Sequence, residues 1–526
     1  MSSATVTDRL VLSPARRRVA TAGVLTGTAL AALEATVVGA AMPTVVASLG
    51  GLEHYSWVFS AYLLTSTVTV PIWGKLSDLY GRRPLYQVGV ALFLLGSVLS
   101  GASQTMGQLV AFRALQGLGA GALIPLGMTI LADLYELAQR ARVQALFSGV
   151  WGVASVIGPP VGGFITEHWS WRWVFYINVP FGLAAAAIIG LALREPRRHG
   201  RPSIDVLGAT FLTVSMTCLM LALFEARTAA SLLSPWRLLA FAGTVAGGLA
   251  FVRAERRARE PIVPLALFRH RVVGVAVVCG FLAGAAMFGA ISYVPLYAQA
   301  AMGGGAAAAG ASLTPLMLAW VTFSVIGGRL LLRVGYRPTV LAGLGLMTAG
   351  FLLLTRLGPA SSRATLHADL AVVGAGLGLT MLTLLIAVQQ AVPRTQLGVA
   401  TSANQLARSL GGAVGVAVMG VILTAGLERR LPGHPDLSAL VLAEGHAAPA
   451  LAERAALRVA LVGSLHAVFV LSAVIVAAAL LIAALRLPKK APAPPAQACD
   501  AETGERVLAA EIATLDPDHE PAAVRD

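Results

Sequence analysis

Two charged side chains stand in this sequence where everything around them is apolar. Glu34 lies within the run from Val19 to Pro43, and Arg113 within Leu109 to Gly121. In hydrocarbon an ionised group is costly, so such residues face a cavity, pair with one another or carry function. Desolvation raises a carboxyl pKa and access to water or a cation lowers it, so a glutamate that alternates between the two takes up and releases a proton. The simpler alternative is a neutral glutamic acid hydrogen-bonded to a neighbouring helix. At helical spacing Glu34 shares its face with Gly27, Ala31, Val38 and Ala41, residues suited to a cavity wall or to close helix contact. Arg113 shares a face with Gln116, Gly117 and Ala120, and as a permanent cation it needs a carboxylate or carbonyl partner.

A second group is Gly74-Lys75-Leu76-Ser77-Asp78-Leu79-Tyr80-Gly81-Arg82-Arg83-Pro84. It is expected to be a short loop between two apolar runs, with Gly74 and Gly81 supplying a tight turn and Pro84 opening the next helix. Shifting it along the chain brings it onto Gly328-Arg329-Leu330-Leu331-Leu332-Arg333-Val334-Gly335-Tyr336-Arg337-Pro338. The glycines, the cation after the first glycine, Arg337 and the proline recur at the same spacing, the mark of a parallel duplication. Leu332 stands where the first copy has Asp78. Only the first copy can make carboxylate contacts, to Arg82 locally or to a helix end of the other half. The stretch is therefore read as a one-sided conformational latch formed by Gly74, Asp78, Gly81, Arg82 and Arg83.

No carboxylate stands mid-helix in the second half. Its polar candidates are Thr380, Thr383, Gln389, Gln390, Asn404, Gln405 and Arg408. Gln390 shares a face with Gly376, Thr380, Thr383 and Ala387, which suits a cavity lining, the alternative being hydrogen bonds between helices. Glu34, Gln116, Thr380, Thr383 and Gln390 are assigned to the substrate cavity.

The elements that must position these groups follow from composition. Of 526 residues, 57% are hydrophobic and only 12% charged, far below the charged fraction of soluble domains. The apolar runs are long enough to cross a bilayer as helices, so the chain is expected to be an all-α polytopic membrane protein. A net charge of +14 does not indicate nucleic acid, because the cations sit in loops rather than on a soluble face. Cys218 and Cys279 lie in apolar segments and Cys499 in the tail, leaving no disulfide framework or metal site. No Gly-rich phosphate loop is present, no cofactor is implied, and no catalytic constellation suggests an enzyme.

Spans are expected near 19–42, 54–74, 85–102, 106–131, 142–165, 172–193, 205–225, 238–253, 271–299, 309–331, 338–356, 367–391, 400–425 and 463–485. With both termini inside, cytoplasmic segments outweigh external loops in Lys and Arg by roughly three to one, which fixes that orientation. The polar start ending in Arg16-Arg17-Arg18 precedes an apolar run too long for a signal peptide, so the first helix is read as retained. The expected organisation is a cytoplasmic segment 1–18, a six-helix bundle 19–193, two inserted helices in 194–260, and a second six-helix bundle 261–487. That second bundle carries a long external loop, 426–462, whose 449–462 part could form an amphipathic helix. A Pro-rich then acidic tail, 488–526, is expected to be disordered in the cytoplasm.

Several motifs resemble those of the major facilitator superfamily. The Gly-x-Leu-x-Asp-x-x-Gly-Arg-Arg spacing from Gly74 is similar to the loop between the second and third helices of that family, which implies that Arg82 pairs with Asp133. Leu33-Glu34-Ala35-Thr36-Val37-Val38 with Ala41-Met42-Pro43 resembles a first-helix signature of drug:proton antiporters, where the acid is commonly Asp. The Arg113 segment resembles the family's fourth-helix motif implicated in proton transfer. This implies electrostatic tuning of Glu34 or of substrate, the alternative being an interhelical clamp. Gly149 to Gly163, with Gly149, Gly152, Gly158, Pro159, Gly162 and Gly163, closely resembles the fifth-helix motif associated with antiporters. Trp171-Arg172-Trp173-Val174-Phe175-Tyr176-Ile177-Asn178-Val179-Pro180-Phe181-Gly182 looks like the fourteen-helix drug-exporter branch.

The resemblance implies a monomeric proton-coupled antiporter in a bacterial inner membrane, exporting amphipathic or cationic small molecules by alternating access, with protons as the second partner. The alternatives are a dedicated exporter of one endogenous metabolite or antibiotic, and a transport-inactive membrane receptor or scaffold.

Overall fold

The computed structural model describes residues 12–50, 54–193, 205–223, 229–258, 260–302, 311–358, 361–430 and 451–489. Most of the expected tail 488–526, the centre of the 426–462 loop and the start of segment 1–18 therefore lie outside the described residues. The long elements are all α-helices: α1 (Pro14–Leu49), α2 (Tyr55–Tyr80), α3 (Arg82–Ala102), α4 (Met106–Leu134), α5 (Leu137–His168) and α6 (Asn178–Ala192). They continue with α7 (Val206–Leu223), α8 (Pro235–Glu255), α9 (Arg271–Met302), α10 (Thr314–Val334), α11 (Tyr336–Leu354), α12 (Arg363–Gln390), α13 (Leu397–Arg430) and α14 (Leu451–Arg486). Among the described residues, 12 helical segments are long and apolar enough to cross a membrane. The expected spans 54–74 and 142–165 are occupied by α2 and α5, which are not among those 12.

Several boundaries differ from expectation for local reasons. Ser13 caps α1 by accepting from Arg16 N at 3.4 Å, with Pro14 in the first turn, so the helix starts before the apolar run and carries Arg16 to Arg18 within it. The expected loop 74–84 is almost entirely helical. Residues up to Tyr80 belong to α2, and the turn is the single residue Gly81, at φ +96°. Its repeat partner Gly335, at φ +85°, ends α10 and starts α11 in the same way. Each donates its N–H four residues back, Gly81 to Ser77 O at 3.1 Å and Gly335 to Leu331 O at 3.0 Å, a backbone conformation only glycine adopts without strain. The part of the expected 449–462 helix that is described is continuous with the last span in α14.

The repeat extends to how the helices pack. In the first half α1 lies against α5 and α6, while α4 lies against α2 and α3; α3 also meets α6. In the second half α9 lies against α13 and α14, while α12 lies against α10 and α11; α11 also meets α14. The two halves join along two seams, α2 with α13 and α5 with α10. Between the halves, α7 and α8 pack on each other, Ser215 Oγ donating to Thr244 O at 2.8 Å. α7 also touches both α2 and α13, so it covers the first seam.

Candidate functional site

Five helical segments of the first half bring a polar cluster into its interior. α1 supplies Glu34, α4 supplies Arg113 and Gln116, α2 supplies Val58 O and Tyr62, α3 supplies Ser97, and α6 begins at Asn178. α4 comes close to α2 because Gly117 and Gly121 face it. A Cβ at Gly117 would meet Thr65 and the Tyr62 carbonyl, and one at Gly121 would meet Thr69 and the Ser66 carbonyl. Thr65 Oγ1 donates to Ala114 O at 2.8 Å and Trp73 Nε1 to Leu118 O at 2.8 Å, fixing the same contact. Small residues are what allow helices to approach this closely in a membrane.

Glu34 and Arg113 form an ion pair through Oε1 and Nη1, with side-chain exposures of 0% and 2%. The other carboxylate oxygen, Oε2, accepts from Asn178 Nδ2. Asn178 Nδ2 also donates to Ser97 Oγ at 3.0 Å, and Ser97 Oγ donates onward to Phe175 O at 2.8 Å. The guanidinium donates from Nε to Val58 O at 3.2 Å and from Nη1 to Gln116 Oε1 at 2.7 Å. It lies over the Tyr62 ring, 4.2 Å from the centroid, with the Phe175 ring at 5.9 Å. Both carboxylate oxygens therefore face nitrogen donors, and the cation has a counter-ion, a carbonyl, an amide oxygen and a π face. Removing one partner of such a buried pair costs about 3–5 kcal/mol, because the other charge is left uncompensated. A proton placed on Glu34 must therefore be accompanied by rearrangement around Arg113.

The sequence reading singled out Glu34, Arg113 and Gln116, and they meet. Asn178 joins them from within the Trp171–Gly182 motif, its signal in the sequence a lone amide where an apolar helix begins. Tyr62 and Ser97 gave none, since a tyrosine or serine in a span is commonplace. The remaining cavity candidates are placed differently. Glu34, Gln116, Thr380 and Thr383 are all fully buried, so none borders an open space in this conformation. Thr380 points at α11, where a Cβ on Gly343 would meet its hydroxyl. Gln390 is half-buried. Its neighbour Gln389 makes the cross-half contact instead, accepting from Gln144 Nε2 of α5 at 3.0 Å and donating to Thr401 Oγ1 at 3.2 Å. One residue is 100° of helical rotation, which separates the two glutamines.

A second cluster ties the halves together at the end of the molecule where α2 stops. Asp78 pairs with Arg82 and accepts from the first amides of α13, Gly398 N to Oδ1 at 3.0 Å and Val399 N to Oδ2 at 2.8 Å. A carboxylate at a helix N-terminus satisfies orphan donors and complements the dipole. Arg82 also donates to Asp133 Oδ2 at 3.2 Å, Ser77 Oγ at 3.0 Å and Arg394 O at 3.4 Å. Arg83 follows at the second position of α3, half-buried. Gly74 is interior to α2 rather than in a turn, and a Cβ there would meet Ser402 and the Gly398 carbonyl. In the second copy the equivalent residues serve their own half: Tyr336 OH donates to Pro488 O at 2.9 Å and Arg337 Nη2 to Ala484 O at 2.7 Å. Lys75 and Glu260 lie 3.7 Å apart, linking α2 to the segment after α8.

The glycine-rich stretch lies in α5, which runs unbroken through Gly158, Pro159 and Pro160. Gly149 and Gly152 face Val321 of α10, and Gly158 faces Thr36 of α1, whose hydroxyl donates to Ala154 O at 3.2 Å. Gly162 is buried and Gly163 opens on free space. The second seam is completed by Ser148 and Ser324, hydroxyl to hydroxyl at 3.1 Å. It is neutral where the first is charged. Among the described residues no group of His, Cys, Asp and Glu could hold a metal ion.

Residues 24–416 match the family model described as Major Facilitator Superfamily. The chain is 39% identical over 412 residues to Multidrug transporter protein MdtP of Bacillus subtilis (strain 168), covering 78% of this chain and 76% of that protein. It is 36% identical over 407 residues to Multidrug resistance protein 3 of the same organism, covering 76% and 78%. Its fold is similar to the proton:xylose symporter XylE bound to 6-bromo-6-deoxy-D-glucose, with TM-score 0.60, 14% identity, and coverage of 90% of this chain and 96% of that one. The human organic anion transporter MFSD10 (TETRAN) gives TM-score 0.59 at 16% identity, covering 88% and 100%. With its duplicated helical halves and its match along most of the sequence, this multi-pass membrane protein belongs to the Major Facilitator Superfamily.

Proposed function

We propose that the chain is a proton-coupled antiporter that exports amphipathic compounds by alternating access, in the fourteen-helix branch of the family. The observation that carries this reading is the buried Glu34–Arg113 pair, held by Asn178 and Tyr62 in the middle of apolar helices. In the conformation open to the outside, a proton arriving at Glu34 neutralises the carboxylate, breaks the pair and repacks α1, α4 and α6, helping to expel substrate. In the conformation open to the inside, Glu34 gives the proton up and the pair re-forms as substrate enters. The work comes from the proton gradient. The names of the two Bacillus relatives support drugs as cargo.

Fourteen spans are supported by α2 and α5, which pack inside the first half and along both seams as transmembrane helices would. Both termini are assigned to the cytoplasm of a bacterial inner membrane on the distribution of Lys and Arg. The Asp78 cap on α13 then lies at the cytoplasmic end, where it latches the outward-open state. The protein is read as a monomer and not as an enzyme.

Substrate-induced proton release from proteoliposomes tests this. Ethidium as probe should release protons through the wild-type chain and not through Glu34→Gln. Undiminished coupled exchange in the variant removes Glu34 as the essential carrier.

A further inference from the structure

Besides Arg113, one more arginine sits well inside a span. Arg408 lies three turns into α13 and is half-buried. The two differ sharply in their surroundings. Arg113 is saturated by Glu34, Gln116, Val58 O and the Tyr62 ring. Arg408 makes a single hydrogen bond among the described residues, from Nη2 to Gln405 Oε1 one turn back on its own helix. A guanidinium has five N–H donors and no acceptor, so most of them are unused. The Glu34–Arg113 pair cancels internally, and Arg408 is left without a counter-ion among the described residues.

Gln405 adds to this rather than offsetting it. Its Oε1 is turned to the guanidinium, which directs its amide N–H groups away as two further donors. The direction is set by the face of α13. Gly398 and Ser402 lie on the line that meets α2 at Gly74, and Gln405 continues that line by one turn. On α2 the matching line runs from Gly74 towards Leu63, which is 53% exposed. Arg408 lies to one side of that line, where its backbone packs on Gly284 of α9, and both it and Gln405 keep accessible surface, so the pair stands at an open edge between the α2 and α9 contacts of α13.

We propose that Arg408 and Gln405 form a binding position for the acidic headgroup of an amphipathic organic anion. Unused donors of one sign, with no carboxylate among the described residues in an ion pair with Arg408, match a carboxylate, sulfonate or phosphate oxygen. The helix that carries them is mostly apolar in sequence, which suits the apolar body of such a molecule. The cargo then includes amphipathic anions or zwitterions, and a simple cation is disfavoured beside Arg408. Only the word cargo rests on the export reading; the site itself is a matter of binding.

The test uses the full-length chain in phosphatidylcholine nanodiscs with two probes that share one apolar body, taurocholate and the neutral methyl ester of cholic acid. Wild type should bind taurocholate at least about tenfold more tightly than the ester, as charge-assisted bonds imply. Arg408→Gln should bring the two to within about twofold without weakening the ester, and Arg408→Lys should keep part of the preference. Gln405→Leu, which strands no charge, should lose several-fold. A wild type without preference, or a preference that survives Arg408→Gln, overturns the site. Adding phosphatidylglycerol separates two sources of the anion: Arg408-dependent competition makes a lipid headgroup the natural occupant, and its absence a soluble one. Vesicles that move neither ethidium nor taurocholate while Arg408-dependent binding persists would sink the export reading and leave the site standing.

Discussion

Asp78→Asn isolates what holds the two halves together at one end. Of the contacts of Asp78, the pair with Arg82 stays within the first half and survives any rocking motion. The bonds from Gly398 N and Val399 N cross the seam, at 3.0 and 2.8 Å, and must break when that end opens. Each hydrogen bond to a charged group contributes about 1.5–3 kcal/mol, and the buried helix terminus about 1 kcal/mol more. Asparagine keeps one acceptor and turns an N–H2 towards the other amide. The closed seam should therefore lose roughly 2–4 kcal/mol relative to the open one, a shift of about thirty- to a thousandfold in their ratio. Spin labels at Tyr80 and Thr395, both exposed, would report this by double electron–electron resonance. Wild type should show mainly the short distance, and Asp78→Asn a large second population at longer distance, with impaired cycling and apparent ligand affinity from the α2-end side no weaker than wild type. An unchanged distance distribution, or a large affinity loss with normal cycling, refutes the latch.

Two further perturbations reach the same elements from other directions. Asn178→Ala removes the donor to Glu34 Oε2 and should slow ethidium-driven proton release about tenfold or more, in keeping with an unsatisfied buried acceptor worth about 1–3 kcal/mol. A normal rate would show that the amide only packs. Gly74→Val drives a branched side chain into Ser402 and the Gly398 carbonyl. It should lengthen the Tyr80–Thr395 distance much as Asp78→Asn does while leaving the melting temperature nearly unchanged; no lengthening would mean the seam yields elsewhere.

Much of the fold was legible because a bilayer leaves the backbone few choices. An apolar run of sufficient length must be helical, and the repeated Gly-x-x-x-x-x-x-Gly spacing exposed the duplication. Boundaries were less legible because helices do not stop where apolar residues do. α2 carries Lys75 and Asp78 inside its last turns and ends only where Gly81 reaches positive φ. In the site, Glu34 and Arg113 announced themselves as charges in apolar surroundings. The second half offered no such contrast: α12 is buried nearly all round, so helical periodicity cannot say which of its faces meets a neighbour and which a cavity. Thr380, Thr383 and Gln390 were chosen on periodicity alone, and Gln389 took the contact.

The paired turns at Gly81 and Gly335 make the chain a comparison with itself. Two copies of one unit lie in a single polypeptide, and what both share marks the demands of building a helix pair: a glycine at positive φ, a proline soon after and an arginine between them. What only one retains marks the demands of the machine. Asp78 stands in one copy and Leu332 in the other, so only one of two matching doors carries a bolt. Because the duplication is parallel, both turns sit at the same end of the molecule, and the missing acid leaves the α5–α10 seam with no counterpart to the cap that Asp78 places on α13.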